Sequence, residues 1–234
     1  MADAVRGAII AAGEGSRLRA DGYRVPKPMV EVAGLPLIGA VLRNFTTAGI
    51  TAITVILNEQ ERECVEWVRS RFPALAIDFI VKTTASSLES FREVTGRGPA
   101  GPMLVSTVDA WCAAEDFARF AAAAAGRPAD ATVLAVTPFV SDEKPLWVTL
   151  GAGGRVEGLG TADSGLVTAG VYRVSDRARR LAPARPLGRL REYLGWLHES
   201  GEPLYGEIIE TVVDVDRALD VASAEALARG ARRT

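Results

Sequence analysis

The segment Gly13-Glu14-Gly15-Ser16-Arg17 follows a short apolar run, Val5 to Ala11, and soon meets Pro26-Lys27-Pro28. A buried strand running into a tight glycine turn, then an arginine and a lysine, is a sequence that can bind a polyphosphate. Gly13 and Gly15 are expected to take up unusual dihedrals and to bring main-chain N–H groups close to an anion. Arg17 can fork two phosphate oxygens, and Lys27 supplies a compact, movable charge. In the common P-loop, Lys directly follows the last Gly and is itself followed by Ser or Thr; the spacing here is different.

Phosphate chemistry of this kind needs carboxylates for a divalent cation, and the candidates lie far along the chain. Asp109 follows the apolar stretch Met103 to Thr107. A lone carboxylate at the end of a buried strand is costly unless it is paired or binds metal. Its alternative role is to cap a helix beginning near Ala113. Asp214 and Asp216 fall in Val212 to Ala222, and in a strand they share one face because side chains alternate. Asp220 is placed to cap the last helix. Mg²⁺ is the expected cofactor, because it favours carboxylate oxygens together with phosphates and water.

Composition narrows the function further. The chain has 234 residues, with 27 basic against 29 acidic side chains, so nothing points to nucleic acid as a partner. Only Lys27, Lys82 and Lys144 are lysines; the other basic residues are arginine. A composition this rich in Arg does not need Lys for surface charge, whereas a site that follows a moving phosphate does. Cys64 and Cys112 lack metal-ligand spacing and read as reduced thiols. His198, the single histidine, is expected on a surface helix, Leu187 to Ser200. No signal-type or membrane-length apolar run occurs, which implies a cytoplasmic protein without a membrane partner.

The elements that must position these residues alternate strand and helix. Strands are expected at Val5 to Ala11, Ala52 to Leu57, Ala76 to Val81, Met103 to Thr107 and Thr132 to Val136. Helices are expected at Leu37 to Ala48, Glu59 to Ser70, from Ser86, and at Ala114 to Ala125. Right-handed crossovers then give an α/β, doubly wound, mostly parallel sheet. Ligands of such sheets bind at the carboxyl ends of strands, where the glycine loop, Lys82 and Asp109 all fall. Leu146 to Leu150 and Arg155 to Leu159 read as a hairpin through Gly151 to Gly154. Further strands at Leu166 to Arg173 and Val212 to Val215 make this an antiparallel insertion in one domain, 1–234.

Gly13, Gly15, Arg17, Pro26, Lys27, Gly34, Pro36 and Leu37 together resemble the leading motif of the nucleotidyltransferase superfamily. Its members join a nucleoside triphosphate to a phosphorylated sugar or alcohol and release pyrophosphate. The resemblance implies a Rossmann-like fold, with residues 1–136 binding nucleotide and 137–234 binding acceptor. It places Ala11, Ala12, Gly13, Glu14, Gly15 and Ser16 at the nucleotide, with Arg17 and Lys27 as catalytic cations. Asp109 looks like the family's strand-end aspartate, although Val108 stands where Gly is usual.

The second metal ligand is left in two registers. Asp214 matches a sugar-nucleotide branch and Asp216 a cytidylyltransferase branch, with Ala218 and Leu219 departing from the latter's Pro and Glu. Lys82, Thr84, Ser86 and Ser87 resemble a base-reading stretch; an ordinary helix cap completed by Glu89 is the other reading. Asp142-Glu143-Lys144-Pro145 is similar to the acceptor loop, with Lys144 on the acceptor phosphate, and Gly170 resembles a glycine beside the acceptor. The implied activity is nucleotidyl transfer to a sugar-1-phosphate. A CTP-dependent transfer to an alcohol phosphate, a related glycosyltransferase and a nucleotide sensor remain as rivals.

Overall fold

In a computed structural model, residues 5–140, 144–160 and 162–231 are described. Elements in chain order are β1 Arg6–Ala11, α1 Ser16–Ala20, β2 Glu31–Val32, β3 Leu35–Pro36, α2 Leu37–Thr47, β4 Ala52–Leu57 and α3 Arg62–Arg71. There follow β5 Ala76–Val81, α4 Ser87–Thr95, β6 Met103–Thr107, β7 Ala110–Trp111, α5 Ala114–Ala125 and β8 Thr132–Thr137. The chain continues through β9 Trp147–Leu150, β10 Val156–Gly160, β11 Val167–Val174, α6 Asp176–Arg180, α7 Leu190–Glu199, β12 Leu204–Ile208, β13 Val213–Asp214 and α8 Ala218–Ala231.

The central sheet runs β5-β4-β1-β6-β11-β8-β12, with the β9–β10 hairpin attached at the start of β11. β5, β4, β1 and β6 are parallel, as are β8 and β12, and β11 runs against both neighbours. The expected mixed α/β sheet is therefore present, and mostly parallel. The buried strands explain why apolar runs here do not alternate with polar residues: both sheet faces are covered. In β1, Ile9 and Ala11 enter one core while Ala8 and Ile10 enter the other. In β8, Val133 and Ala135 oppose Leu134 and Val136 in the same way.

On the first face, α2 buries Leu37, Ile38, Val41, Leu42 and Phe45, an apolar stripe at helical spacing. Phe45 meets Phe117 of α5 edge-on at 5.0 Å. On the second face, Leu88, Phe91 and Val94 of α4 pack with Leu190, Tyr193, Leu194 and Leu197 of α7. The Tyr193 hydroxyl donates to the main-chain oxygen of Leu181 at 2.9 Å, which satisfies a buried donor at the ring's far end. These packed helices hold the strand ends rigidly enough to place the charged loops between them.

Several expected bounds shift for identifiable reasons. Glu59–Glu61 forms a separate 3-10 turn, capped by Asn58 and Glu61, before α3 begins. α7 begins at Leu190, not Leu187, because Glu192 accepts the N–H groups of Gly188 and Arg189 and so sets the helix start. The strand expected at Val212 to Val215 is two residues long and pairs with β7, outside the central sheet. β12 was not expected; Gly206 and Glu207 interrupt its apolar run, yet it pairs along its whole length with β8.

Candidate active site

The carboxyl end of β1 opens into the glycine loop, and only one of its two glycines is conformationally special. Gly15 has φ +60°, and a Cβ there would lie 2.8 Å from the Lys27 Cβ. Gly13 is outside the left-handed region and would meet nothing, contrary to the unusual dihedrals expected of it. The demand at Gly15 is thus both strain and close approach. It brings the loop against a 3-10 turn, Lys27–Met29, that follows Pro26.

Lys27 is only 7% exposed, and its Nζ lies 2.6 Å from Asp109 Oδ2 while also donating to Asp216 Oδ1. Burial alone would push its ammonium down, but the charges of Asp109, Asp216 and Asp214 outweigh burial and hold it above its ordinary value. For Asp109 the balance has the mirror form. Burial works against its charge, and Lys27 overcomes this to keep the carboxyl below its usual range. Arg17 Nη1 reaches Asp216 Oδ2 at 2.7 Å.

Main-chain bonds explain how residues so far apart in sequence meet. The N–H of Val108 donates to Ile10 O at 3.0 Å, which aligns the exit of β6 with the exit of β1. Trp111 and Val215 both donate to Asp109 O, at 2.8 and 3.0 Å, and β7 pairs with β13 through Ala110 and Asp214. Asp220 then accepts the N–H groups of Asp216 and Arg217, at 3.0 and 2.7 Å, and so fixes the turn into α8. Carboxylate oxygens of Asp109, Asp214 and Asp216 consequently lie within 4.8 Å of one another. Asp109 does not cap α5, whose first cap is Ala113 with no side-chain bond.

An all-oxygen set of three converging carboxylates suits a hard divalent cation that keeps part of its coordination for phosphate or water. Lys27 and Arg17 sit in the same cluster, so the arrangement is ready to exchange carboxylate partners for phosphate oxygens. Asp214 and Asp216, read from the sequence as alternatives, are both present at the cluster.

Beside these carboxylates lies a cavity of about 180 Å³, lined among others by Thr107, Asp109, Gly170, Tyr172, Arg191 and Asp214. Gly170 has φ +71°, and a Cβ there would lie 2.6 Å from Thr107 Oγ1 and 2.9 Å from Ala110 Cβ. It sits where the β11–β8 register shifts between Thr168 and Tyr172, so a local bulge forms the cavity wall. Burial pushes the Tyr172 hydroxyl up, Asp109 and Asp214 add to that, and Arg191 opposes it. Arg191 escaped the sequence reading: in Arg189-Leu190-Arg191-Glu192 nothing but the fold distinguishes it from its neighbours.

The remaining expected residues are placed differently. Lys82 is not drawn into the acidic cluster; it pairs with Glu89 at 2.8 Å and Glu93 at 2.6 Å on α4. The Thr84 and Ser90 hydroxyls share a bond at 2.6 Å. Ser86 accepts the Glu89 N–H at 3.2 Å, the ordinary cap, while the Glu89 carboxylate reaches Ala85 N–H at 2.7 Å. Ser87 accepts Leu190 N–H at 3.0 Å and lines the cavity. Lys144 lies beside the cavity and its main-chain oxygen accepts from Arg191. Asp142 and Glu143 of the expected acceptor loop lie outside the described residues. His198 is on the last turn of α7.

A doubly wound sheet that gathers a glycine loop, a buried lysine and an acidic triad at its carboxyl edge defines a nucleotidyltransferase. Residues 7–149 match the MobA-like NTP transferase domain, and the chain belongs to that family of enzymes. A 2-aminoethylphosphonate cytidylyltransferase from Lancefieldella rimae is 30% identical over 95 residues, which is 38% of this chain and 38% of that protein. A CMP-5'-(3-aminopropyl)phosphonate synthase from Streptomyces rubellomurinus is 28% identical over 90 residues, which is 38% of this chain and 14% of that one. The chain thus matches only a minor part of either curated relative. The inositol-1-phosphate CTP transferase of T. maritima superposes with a TM-score of 0.77 at 17% identity, covering 95% of this chain and 96% of that one. Among the described residues, no helix is long and apolar enough to cross a membrane.

Proposed function

We propose that the protein transfers a cytidylyl group from CTP to a small phosphate or phosphonate acceptor and releases pyrophosphate. The observation that carries this reading is Lys27, buried between Asp109 and Asp216 and packed against the glycine loop at Gly15. CTP is favoured over other nucleotides because the two curated relatives described above are named for CMP or cytidylyl chemistry. The same names favour an acceptor class wider than the sugar-1-phosphates expected first.

In this reading the loop Ala11 to Ser16 lies along the nucleotide, with Thr84, Ser86 and Ser87 near the base and Lys82 behind them. Arg17 holds the β- and γ-phosphates. Lys27 moves from its carboxylates to bridge the α-phosphate and the incoming acceptor oxygen, which offsets the repulsion between two anions. The acceptor oxygen bonds to the α-phosphorus as the bond to the bridging oxygen breaks, and that electron pair leaves with pyrophosphate. Asp109, Asp214 and Asp216 would hold Mg²⁺, which would supply neutralisation of phosphate charge. Residues 1–136 mainly bind nucleotide and 137–234 mainly acceptor, with Lys144 and Gly170 on the acceptor side. We further propose that the enzyme works in the cytoplasm.

The test is a pyrophosphate-release screen of four nucleoside triphosphates against phosphorylated sugars, alcohols and phosphonates, with and without Mg²⁺. Release confined to CTP, an acceptor and metal is the expected pattern. Metal-independent release, or none with any pair, would refute the reading.

A further inference from the structure

α1 is a poor helix on its own terms. It has five residues, buries Leu18 alone, and begins at Gly15 without a side-chain cap. A helix so short is marginal in water. It ends on Asp21, whose N–H donates to Arg17 O at 3.0 Å. A carboxylate there meets the negative end of the helix dipole, so Asp21 does not stabilise α1. Its partner belongs to another helix. Asp21 Oδ2 accepts the Ala218 N–H at 2.9 Å, at the start of α8 and 197 residues along the chain. At that end of α8 the same negative charge is favourable.

The bond does not duplicate α8's own cap. The Asp220 carboxylate takes the N–H groups of Asp216 and Arg217, at 3.0 and 2.7 Å, and that of Ala218 goes to Asp21. Ala218 stands where the cytidylyltransferase pattern has Pro, which carries no N–H, so this chain offers a donor that the pattern lacks. Arg17 and Asp21 are four residues apart and share one face of α1. Both are turned to the same short stretch: Arg17 Nη1 reaches Asp216 Oδ2 at 2.7 Å, and Asp21 reaches Ala218 just beyond it. Two contacts, one helical turn apart, set α1 against the start of α8.

On the reading that Arg17 holds the β- and γ-phosphates, the first contact is given up when the triphosphate arrives. The second involves no group assigned to substrate, and it persists. We infer that Asp21 is a positioning residue for the nucleotide: its bond to Ala218 holds α1 against α8, so that Arg17 stays aimed at the phosphates while Asp216 stays beside Lys27. Asp21 acts through Arg17 and through the turn that carries Asp216.

The experiment measures CTP and acceptor kinetics, and calorimetric binding of the α,β-methylene analogue of CTP, with Mg²⁺ present throughout. It uses wild type, Asp21→Ala, Asp21→Asn, Ala218→Pro and the double variant Asp21→Ala with Ala218→Pro. Pro is well accepted at the first helical position, and here it removes the donor while leaving Asp21 in place. Asp21→Ala and Ala218→Pro should each lower kcat/KM for CTP, and affinity for the analogue, roughly 10-fold, the scale of one hydrogen bond to a charged group. The acceptor KM should stay within about threefold, and the melting temperature within about 5 °C. Because both changes delete the same bond, the double variant should fall no more than about twofold below either single one. Asp21→Asn keeps an acceptor oxygen and should recover most of the loss. If Asp21→Ala melts early, Ala218→Pro reads the same bond with the Asp21 side chain intact.

A wild-type affinity for the analogue in both single variants would overturn the inference. So would losses that multiply to about 100-fold in the double variant, an acceptor KM that rises as far as that for CTP, or Asp21→Asn as impaired as Asp21→Ala. Failure of wild type to bind the analogue at all would instead count against nucleotidyl transfer, and this inference would fall with it.

Discussion

The two ends of the candidate site are built on opposite principles. In the charged cluster, Lys27 and Arg17 form ion pairs with Asp109 and Asp216, and Asp214 gathers with those two carboxylates. In the cavity beside it, uncharged Thr107, Gly170 and Tyr172 share the lining with Asp109, Asp214 and Arg191. On the proposed reading, charge in the cluster serves nucleotidyl transfer, in which repulsion between anions is the main barrier. On the same reading, the shape of the cavity serves discrimination, which rests on few contacts. On the proposed reading, chemistry is concentrated where the strands end, and acceptor choice falls to the cavity beside them.

Removing Lys27 should break the comparison most severely. Lys27→Ala is expected to cut turnover on the order of 10²- to 10³-fold, the scale of a lost electrostatic stabiliser, while the protein still melts cooperatively. Single-turnover kinetics and thermal melting measure both; an unchanged rate contradicts the assignment. Asp109→Asn should follow, with about a 10- to 100-fold loss that raised Mg²⁺ partly recovers, read from a metal titration of the rate. A loss that added metal does not touch would make Asp109 an anchor for Lys27 alone.

Gly170→Ala sharpens the other end. Its positive φ and the 2.6 Å approach to Thr107 predict roughly 1–3 kcal/mol of lost stability. Because the bulge forms the cavity wall, acceptor KM should rise while CTP affinity holds. Denaturant melts and separate KM values test this, and an unaffected acceptor KM would detach Gly170 from the site.

The smallest effect lies away from both ends, at buried Glu61. Burial raises its carboxyl from 4.5 to about 7, despite the Asn58 N–H and Arg19 that favour its charge. The folded state therefore binds its proton more tightly than the unfolded chain does. Its contribution is fully present below about pH 4.5 and is lost as pH rises toward 7. Glu61→Gln should match wild type at the acid end and gain about 1–2 kcal/mol above pH 7, measured by melts across pH. A constant difference across that range would contradict the buried-proton account.

The legibility of the chain followed the same division. Ala52–Leu57, Met103–Thr107 and Ala114–Ala125 lie where the apolar pattern places them, because each sends buried apolar side chains into a core. The glycine loop and Lys27 were legible because their types and spacing are set by local geometry at Gly15. β12 was not, since Gly206 and Glu207 are tolerated only through pairing with β8. The pairing of Lys82 with Glu89 and Glu93, one helical turn apart on α4, was not legible from composition. Arg191 owes its place to the packing of α7 on α4, which no short window of sequence contains.

The most direct test is Mg²⁺-dependent pyrophosphate release from CTP by wild type and Lys27→Ala, each with an acceptor that supports turnover. Release that requires nucleotide, acceptor and metal, and that nearly vanishes in the variant while CTP still binds, is the predicted result. Equal release from the two proteins would contradict a site organised around Lys27 and its carboxylates.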